Sequence, residues 1–152
     1  VNINELTEVI LKTLRPIARK NNVEVTLISK REILAEVDKV KMSQIITNLV
    51  ENAIKYNREQ GKVEVTLDAD HQFFTVQVED TGIGIPAEAI SQIYERFYRV
   101  DKSHSRKIGG TGLGLAITRS AVLLHRGSIK VESRENEGTT FTVKVPLTRS
   151  LT

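Results

Sequence analysis

The chain has 152 residues, 39% of them hydrophobic and 27% charged, proportions that suit one globular domain with a real core and leave no need for a second. Zero cysteines exclude disulfide staples and thiolate metal sites; no apolar run approaches the roughly 20 residues of a membrane span, and no secretory leader is visible. Twenty-two basic against nineteen acidic residues give only +3, a modest excess for a nucleic-acid binder, and a start at Val1 without methionine is expected of a piece cut from something longer.

In chain order, the spacing predicts a helix over about 4–21, capped by Asn2 or Asn4, with Leu6, Val9, Ile10, Leu14 and Ile17 on its inner stripe. Val23, Val25 and Leu27 alternate as a strand, and Ile33 to Val37 is a candidate for a short second one. A long helix follows over about 38–57 with Asp38 as its N-cap. Strands are predicted at 62–69 and 72–80, the second with Phe74, Val76 and Val78 on one face. A small helix near 86–93 leads into a polar, basic stretch that reads as a mobile lid. A helix near 112–125 carrying Leu113, Ile117, Ala121 and Leu124, and a hairpin of 128–134 with 139–146, close the chain. Repeats and low-complexity segments are absent. Antiparallel strands in adjacent runs with helices gathered separately make this an α+β chain, a two-layer sandwich.

Within the second helix, Asn48-Leu49-Val50-Glu51-Asn52-Ala53-Ile54-Lys55-Tyr56 sets two amides and a cation into an apolar pattern. At about 100° per residue, Asn48, Asn52 and Lys55 share one narrow arc, and Met42, Ile46, Leu49, Val50 and Ala53 fill the opposite one. Asparagine is a poor helix former and a buried amide needs partners at both ends, so helix stability alone does not select these residues. An amide oxygen is a hard ligand suited to Mg²⁺, and a lysine nearby is a point charge suited to phosphate. A polar, solvated helix face is the plainer reading of the same residues.

Two glycine segments follow. Asp80-Thr81-Gly82-Ile83-Gly84-Ile85-Pro86 puts a carboxylate at a strand end before a turn where backbone can approach a ligand closely. An ionised acceptor there can take the exocyclic amine of adenine and rejects guanine, which presents an acceptor in that place. The second segment, Gly109-Gly110-Thr111-Gly112-Leu113-Gly114-Leu115-Ala116-Ile117, runs into a helix whose N-terminus is an anion site. It is no P-loop, because Leu115-Ala116 stand where Lys and Ser or Thr are needed; it is no dinucleotide fingerprint, because Asp101 to Ile108 is not a strand. Taken alone, such glycines also serve a tight turn and close helix packing.

The order of these boxes, with Glu95-Arg96-Phe97-Tyr98-Arg99 between them and Gly138-Thr139-Thr140-Phe141 at the end, resembles the catalytic and ATP-binding domain of two-component sensor histidine kinases, members of the GHKL superfamily. The resemblance covers nearly the whole chain and is closest to the subgroup containing the PhoR and WalK kinases. It implies the Bergerat-type ATP-binding fold, a mixed sheet with helices on one face and the nucleotide between the helical layer and the lid. It further implies that Asn52 is the Mg²⁺ ligand and Asn48 the supporting amide, with Lys55 on a phosphate and Tyr56 an aromatic beside the nucleotide. Asp80 would read adenine in a pocket shaped by Gly82 and Gly84, with Thr140 joining it through water. Arg99, assisted by Arg106 or Lys107, would reach the terminal phosphate, and Gly110, Thr111, Gly112, Leu113 and Gly114 would cradle phosphates. Arg99, Lys55 and Asn48 would then carry the transfer chemistry by positioning and charge neutralisation.

The expected reaction is transfer of the γ-phosphoryl group of Mg-ATP to a histidine on a separate dimerisation domain of the same kinase, for relay to a response regulator. That acceptor is not expected here: His71 sits in a turn, His104 in the lid and His125 at a helix end. The full protein would be anchored in the cell membrane with this part cytoplasmic and free of direct membrane contact. The rival classes are a GHKL ATPase, which needs a glutamate where Asn48 stands, and a serine/threonine-directed relative, whose lid lacks the Glu-Arg-Phe-Tyr-Arg pattern. Glu51 is expected to point elsewhere on the helix. The basic lid cluster raises nucleic-acid binding, but its charge serves ATP phosphates more economically, so no nucleic acid is expected.

Overall fold

The computed structural model describes residues 1–84 and 114–148. Chain order is α1 (Ile3–Lys20), β1 (Glu24–Ser29), α2 (Lys39–Lys55), β2 (Lys62–Ala69), β3 (Phe73–Asp80), α3 (Gly114–Leu124), β4 (Ser128–Arg134) and β5 (Gly138–Pro146). The expected helix at 86–93, the lid, and the residues Arg99, His104, Arg106, Lys107, Gly110, Thr111, Gly112 and Leu113 lie outside the described residues.

The five strands form one mixed sheet in the order β1-β2-β3-β5-β4. β1 and β2 are parallel, with α2 in the connection between them, and the other pairs are antiparallel. Because side chains alternate across a strand, Val63, Val65 and Leu67 fall on one face with Phe74, Val76, Val78, Phe141, Val143 and Val145, all of them buried. Glu64, Lys144 and Glu79 are on the other face, in solvent. The helices cover the apolar face: α2 packs on α1, α3, β2 and β3. The two-layer α+β reading holds.

Helix entries follow capping chemistry. The Asn2 side chain accepts from Glu5 N at 3.0 Å, and that of Asp38 from Lys41 N at 3.0 Å. Asn4 instead pins the segment after β1, where its amide donates to Arg31 O at 2.8 Å and accepts from Ile33 N at 2.7 Å. The candidate strand at 33–37 is reduced to a single bridge, Asn2 to Leu34.

Two helical stripes differ from expectation. α1 buries Ile3, Leu6, Thr7, Ile10, Leu11, Leu14 and Ala18, whereas Val9 is 63% exposed and Ile17 43%. The small residues Thr7 and Ala18 lie on the buried side of the helix in their place. α3 buries Thr118, Ala121 and Val122, while Ile117 and Leu124 face outward. Its sequence is apolar on more than one side, so periodicity alone does not choose the face.

Candidate functional site

α2 presents the expected core face. Met42, Ile46, Leu49, Val50 and Ala53 are buried with Ile45 and Ile54, which leaves the arc of Asn48, Asn52 and Lys55 half-buried. Asn48 Nδ2 donates to Thr118 Oγ1 of α3 at 3.3 Å. Among the described residues, the Asn52 amide makes no hydrogen bond. A half-buried amide oxygen in that state is a hard donor available to a cation, and Mg²⁺ takes such oxygens alongside substrate phosphates. No group of three or more His, Asp and Glu side chains gathers as a metal site among the described residues.

Lys55 Nζ lies 3.7 Å from Glu51 Oε2. Glu51, expected to point elsewhere, is thus one turn from Lys55 on the same side of the helix, as an i,i+4 pair must be. The pair is partly exposed, and a polyanion arriving at Lys55 has only a weak contact to displace.

Asp80 ends β3. Counting by two from Val76 and Val78, its side chain falls on the helix-covered face, opposite Val63 on β2 and Thr139 on β5. One oxygen is fully used: Oδ1 accepts from Gly82 N at 2.9 Å and Thr139 N at 3.2 Å. Oδ2 accepts no hydrogen bond among the described residues. Burial pushes the carboxyl up to about 6, against the two backbone N–H groups that favour the ionised form. The carboxylate is therefore oriented, half-buried, ionised at neutral pH and left with one acceptor oxygen.

Thr140 does not join it. The register sets Thr139 opposite Asp80 and Thr140 opposite Glu79, and Thr140 Oγ1 donates to Glu79 Oε2 at 3.3 Å on the solvent face. Thr139 is buried, and its hydroxyl lies 2.8 Å from Ser133 Oγ, which also donates to Gly138 O at 2.9 Å. Strand parity would have found it, since Thr139 shares a face with the apolar Phe141 and Val143.

The first glycine segment is wedged between backbones. Ile83 N donates to Tyr56 O at 3.1 Å, where Tyr56 caps the C-terminus of α2. A Cβ on Gly82 would stand 2.3 Å from that carbonyl. Gly84, at φ +70°, would put a Cβ 2.0 Å from the carbonyl oxygen of Arg134 at the end of β4. Two residues unmarked by sequence reasoning secure this junction. Arg58 Nη2 donates to Gly82 O at 3.1 Å and to Asn136 O, and Asn57 accepts from Thr81 Oγ1 at 3.2 Å and donates to Lys62 O at 2.9 Å. No motif or spacing signalled either one.

His71 lies in the turn shaped by Asp70, whose Oδ1 accepts from Gln72 N and Phe73 N, each at 2.8 Å. His125 has both ring nitrogens engaged with backbone, Nδ1 with Ala121 O at 2.8 Å and Nε2 with Asp38 N at 3.1 Å. With Asp38 N–H as donor, the ring is the tautomer that carries its hydrogen on Nδ1.

Residues 37–149 match the family of histidine kinase-, DNA gyrase B- and HSP90-like ATPases. The chain is 42% identical over 118 residues to the sensor histidine kinase WalK of Bacillus subtilis, covering 76% of this chain and 19% of that protein. It thus spans about one fifth of the length of such relatives. The nucleotide-free catalytic domain of histidine kinase ThkA superposes with a TM-score of 0.85 at 32% identity, over 98% of this chain and 95% of that one. ThkA in complex with the response regulator protein TrrA gives 0.82 at 30% identity, over 100% of this chain and 42% of that one. The chain therefore belongs to the histidine kinase-, DNA gyrase B- and HSP90-like ATPase family, as the catalytic, ATP-binding domain of a sensor histidine kinase.

Proposed function

We propose that this domain binds Mg-ATP between α2 and the end of β3 and passes the γ-phosphoryl group to a histidine on a dimerisation domain of the same kinase, for relay to a response regulator. The observation that carries this is the Asp80 carboxylate, held at Oδ1 by Gly82 N and Thr139 N with Oδ2 left to accept from the adenine amine. Asn52, supported by Asn48, would hold the magnesium, whose charge offsets that of the phosphates. Lys55 would leave Glu51 for a phosphate, and Gly114 at the start of α3 would contribute backbone at a helix N-terminus. Arg99 and Lys107 are assigned to the phosphates by resemblance, as are Gly110, Thr111, Gly112 and Leu113. Thr139 takes the place beside Asp80. In the full protein a membrane anchor lies outside this domain.

The reading has a direct test. Incubated with labelled ATP, the domain is expected to stay unlabelled, because His125 is tied to backbone on both nitrogens and His71 belongs to a turn. Calorimetry should show ATP binding that weakens when magnesium is chelated and GTP binding far below that of ATP. Acid-labile label on the isolated domain at a useful rate, or equal affinity for ATP and GTP, would sink it.

Arg99 is expected to act in the transfer step. Arg99→Ala should spare ADP affinity and slow single-turnover transfer to an added acceptor domain, by less than the roughly 10³ to 10⁵ of an arginine finger because Lys55 and magnesium share the charge. Lost ADP affinity with normal transfer from saturating ATP would instead make Arg99 a binding clamp.

A further inference from the structure

We propose that Thr118, a buried hydroxyl on α3, is a positioning residue that holds the Asn48 amide with its NH2 group toward α3 and its oxygen toward the magnesium and phosphate side. The proposal rests on the reading of Asn48 as part of the Mg-ATP site.

A primary amide has a donor end and an acceptor end that exchange places on a half-turn about the last side-chain torsion. The backbone of α2 does not select between them. For Asn48 to support a cation its oxygen must face the arc it shares with Asn52, and something on the opposite side must want the nitrogen. Thr118 is that group: its side chain is fully buried, and Oγ1 is 3.3 Å from Asn48 Nδ2. A hydroxyl can also donate, which would reverse the choice, but helical threonines commonly spend their hydrogen on the carbonyl one turn back. Both threonines of α1 do so, Thr7 to Ile3 O at 2.8 Å and Thr13 to Val9 O at 3.1 Å. Under the same usage, Thr118 Oγ1 is an acceptor and specifies the NH2 end.

The position argues against a packing role alone. Thr118 lies on the face of α3 that buries Ala121 and Val122 against the core, where valine would fill the same volume without burying an oxygen. The hydroxyl there has a polar partner from a second element, and that partner is a site residue. The contact also ties α3, which continues directly from the second glycine segment, to the helix that carries the amides.

The test is a double-mutant cycle read by calorimetry with Mg-ATP and with ATP plus chelator, on wild type, Thr118→Val, Asn48→Ala and the double variant, with Thr118→Ser as the conservative control. Thr118→Val should weaken the magnesium-dependent part of binding roughly three- to tenfold, the worth of one neutral hydrogen bond. Thr118→Ser should restore it, and valine should have no further effect once Asn48 is alanine. An equal loss in both Asn48 backgrounds, or no loss although Asn48→Ala weakens binding, would overturn the positioning role and leave the site intact. Wild-type Mg-ATP affinity in Asn48→Ala would overturn the reading of Asn48 itself. Should the valine variant fail to fold, the side-chain amide signals of Asn48 in wild type and Thr118→Ser decide the matter. Protected, dispersed NH2 resonances are expected, and free-amide shifts with fast exchange would defeat the proposal.

Discussion

Asp80→Asn is expected to weaken ATP binding by about 1.5–3 kcal/mol, the range for a hydrogen bond to a charged group, while making the nucleotide-free domain more stable at pH 8. The two effects have one cause. Asparagine keeps an oxygen for Gly82 N and Thr139 N but replaces the second acceptor with a donor, which meets the adenine amine donor to donor. In the empty domain the carboxyl is pushed from 3.8 up to about 6 by burial, so the folded state holds its proton more tightly than the unfolded chain. That contribution to stability is complete below the unfolded value and lost as pH rises through about 6. Above it, the buried charge costs on the order of 3 kcal/mol, which asparagine removes. ATP affinity of the wild type should fall in the opposite sense, by up to about tenfold per pH unit below the folded value, because only the ionised form accepts from the amine. Chemical denaturation at pH 5 and pH 8 beside calorimetry at the same values checks both arms; a variant that lost ATP without gaining stability at pH 8 would detach the burial argument from the binding one.

Gly82→Ala and Gly84→Ala are each expected to destabilise the domain by about 2–4 kcal/mol in the absence of any nucleotide. The neighbours of both are backbone carbonyls, Tyr56 O and Arg134 O, which cannot swing aside as a side chain would. Gly84 also sits at φ +70°, a conformation that disfavours a Cβ. Displacing Gly82 further breaks its N–H bond to Asp80 Oδ1, so nucleotide affinity should fall with stability. Urea unfolding of the empty variants is the measurement. Stability equal to wild type would mean that these glycines serve ligand approach alone.

Much of the fold was legible because burial is one-sided. In β2, β3 and β5, apolar and polar residues alternate with the two-residue period of a strand, and that pattern alone locates the elements and the covered face. The same parity places Thr139, two before Phe141, beside Asp80 and sets Thr140, which the resemblance paired with Asp80, beside Glu79. The helices were harder because several apolar arcs compete. Val9 and Ile17 read as core, whereas Thr7 and Ala18 are the buried residues, because the apolar residues of α1 spread over more than one arc and periodicity alone does not choose between them. The pairing of Asn48 with Thr118 was illegible, since no local pattern states which turn of α3 meets which turn of α2. Arg58 and Asn57 escaped notice for a similar reason: their work is to join carbonyls and hydroxyls from separate loops.

The ring of His125 and the hydroxyl of Thr118 meet α2 at Asp38 and at Asn48, so the two helices run in opposite directions and are pinned at two separated points. One such contact would leave α3 free to pivot on α2, whereas two separated contacts resist pivoting as well as sliding. A slip of α3 along α2 by a single residue, about 1.5 Å, would break both contacts together. The two contacts, with the packing of α3 on α2, favour a shift of the two helices together over a slide of one along the other.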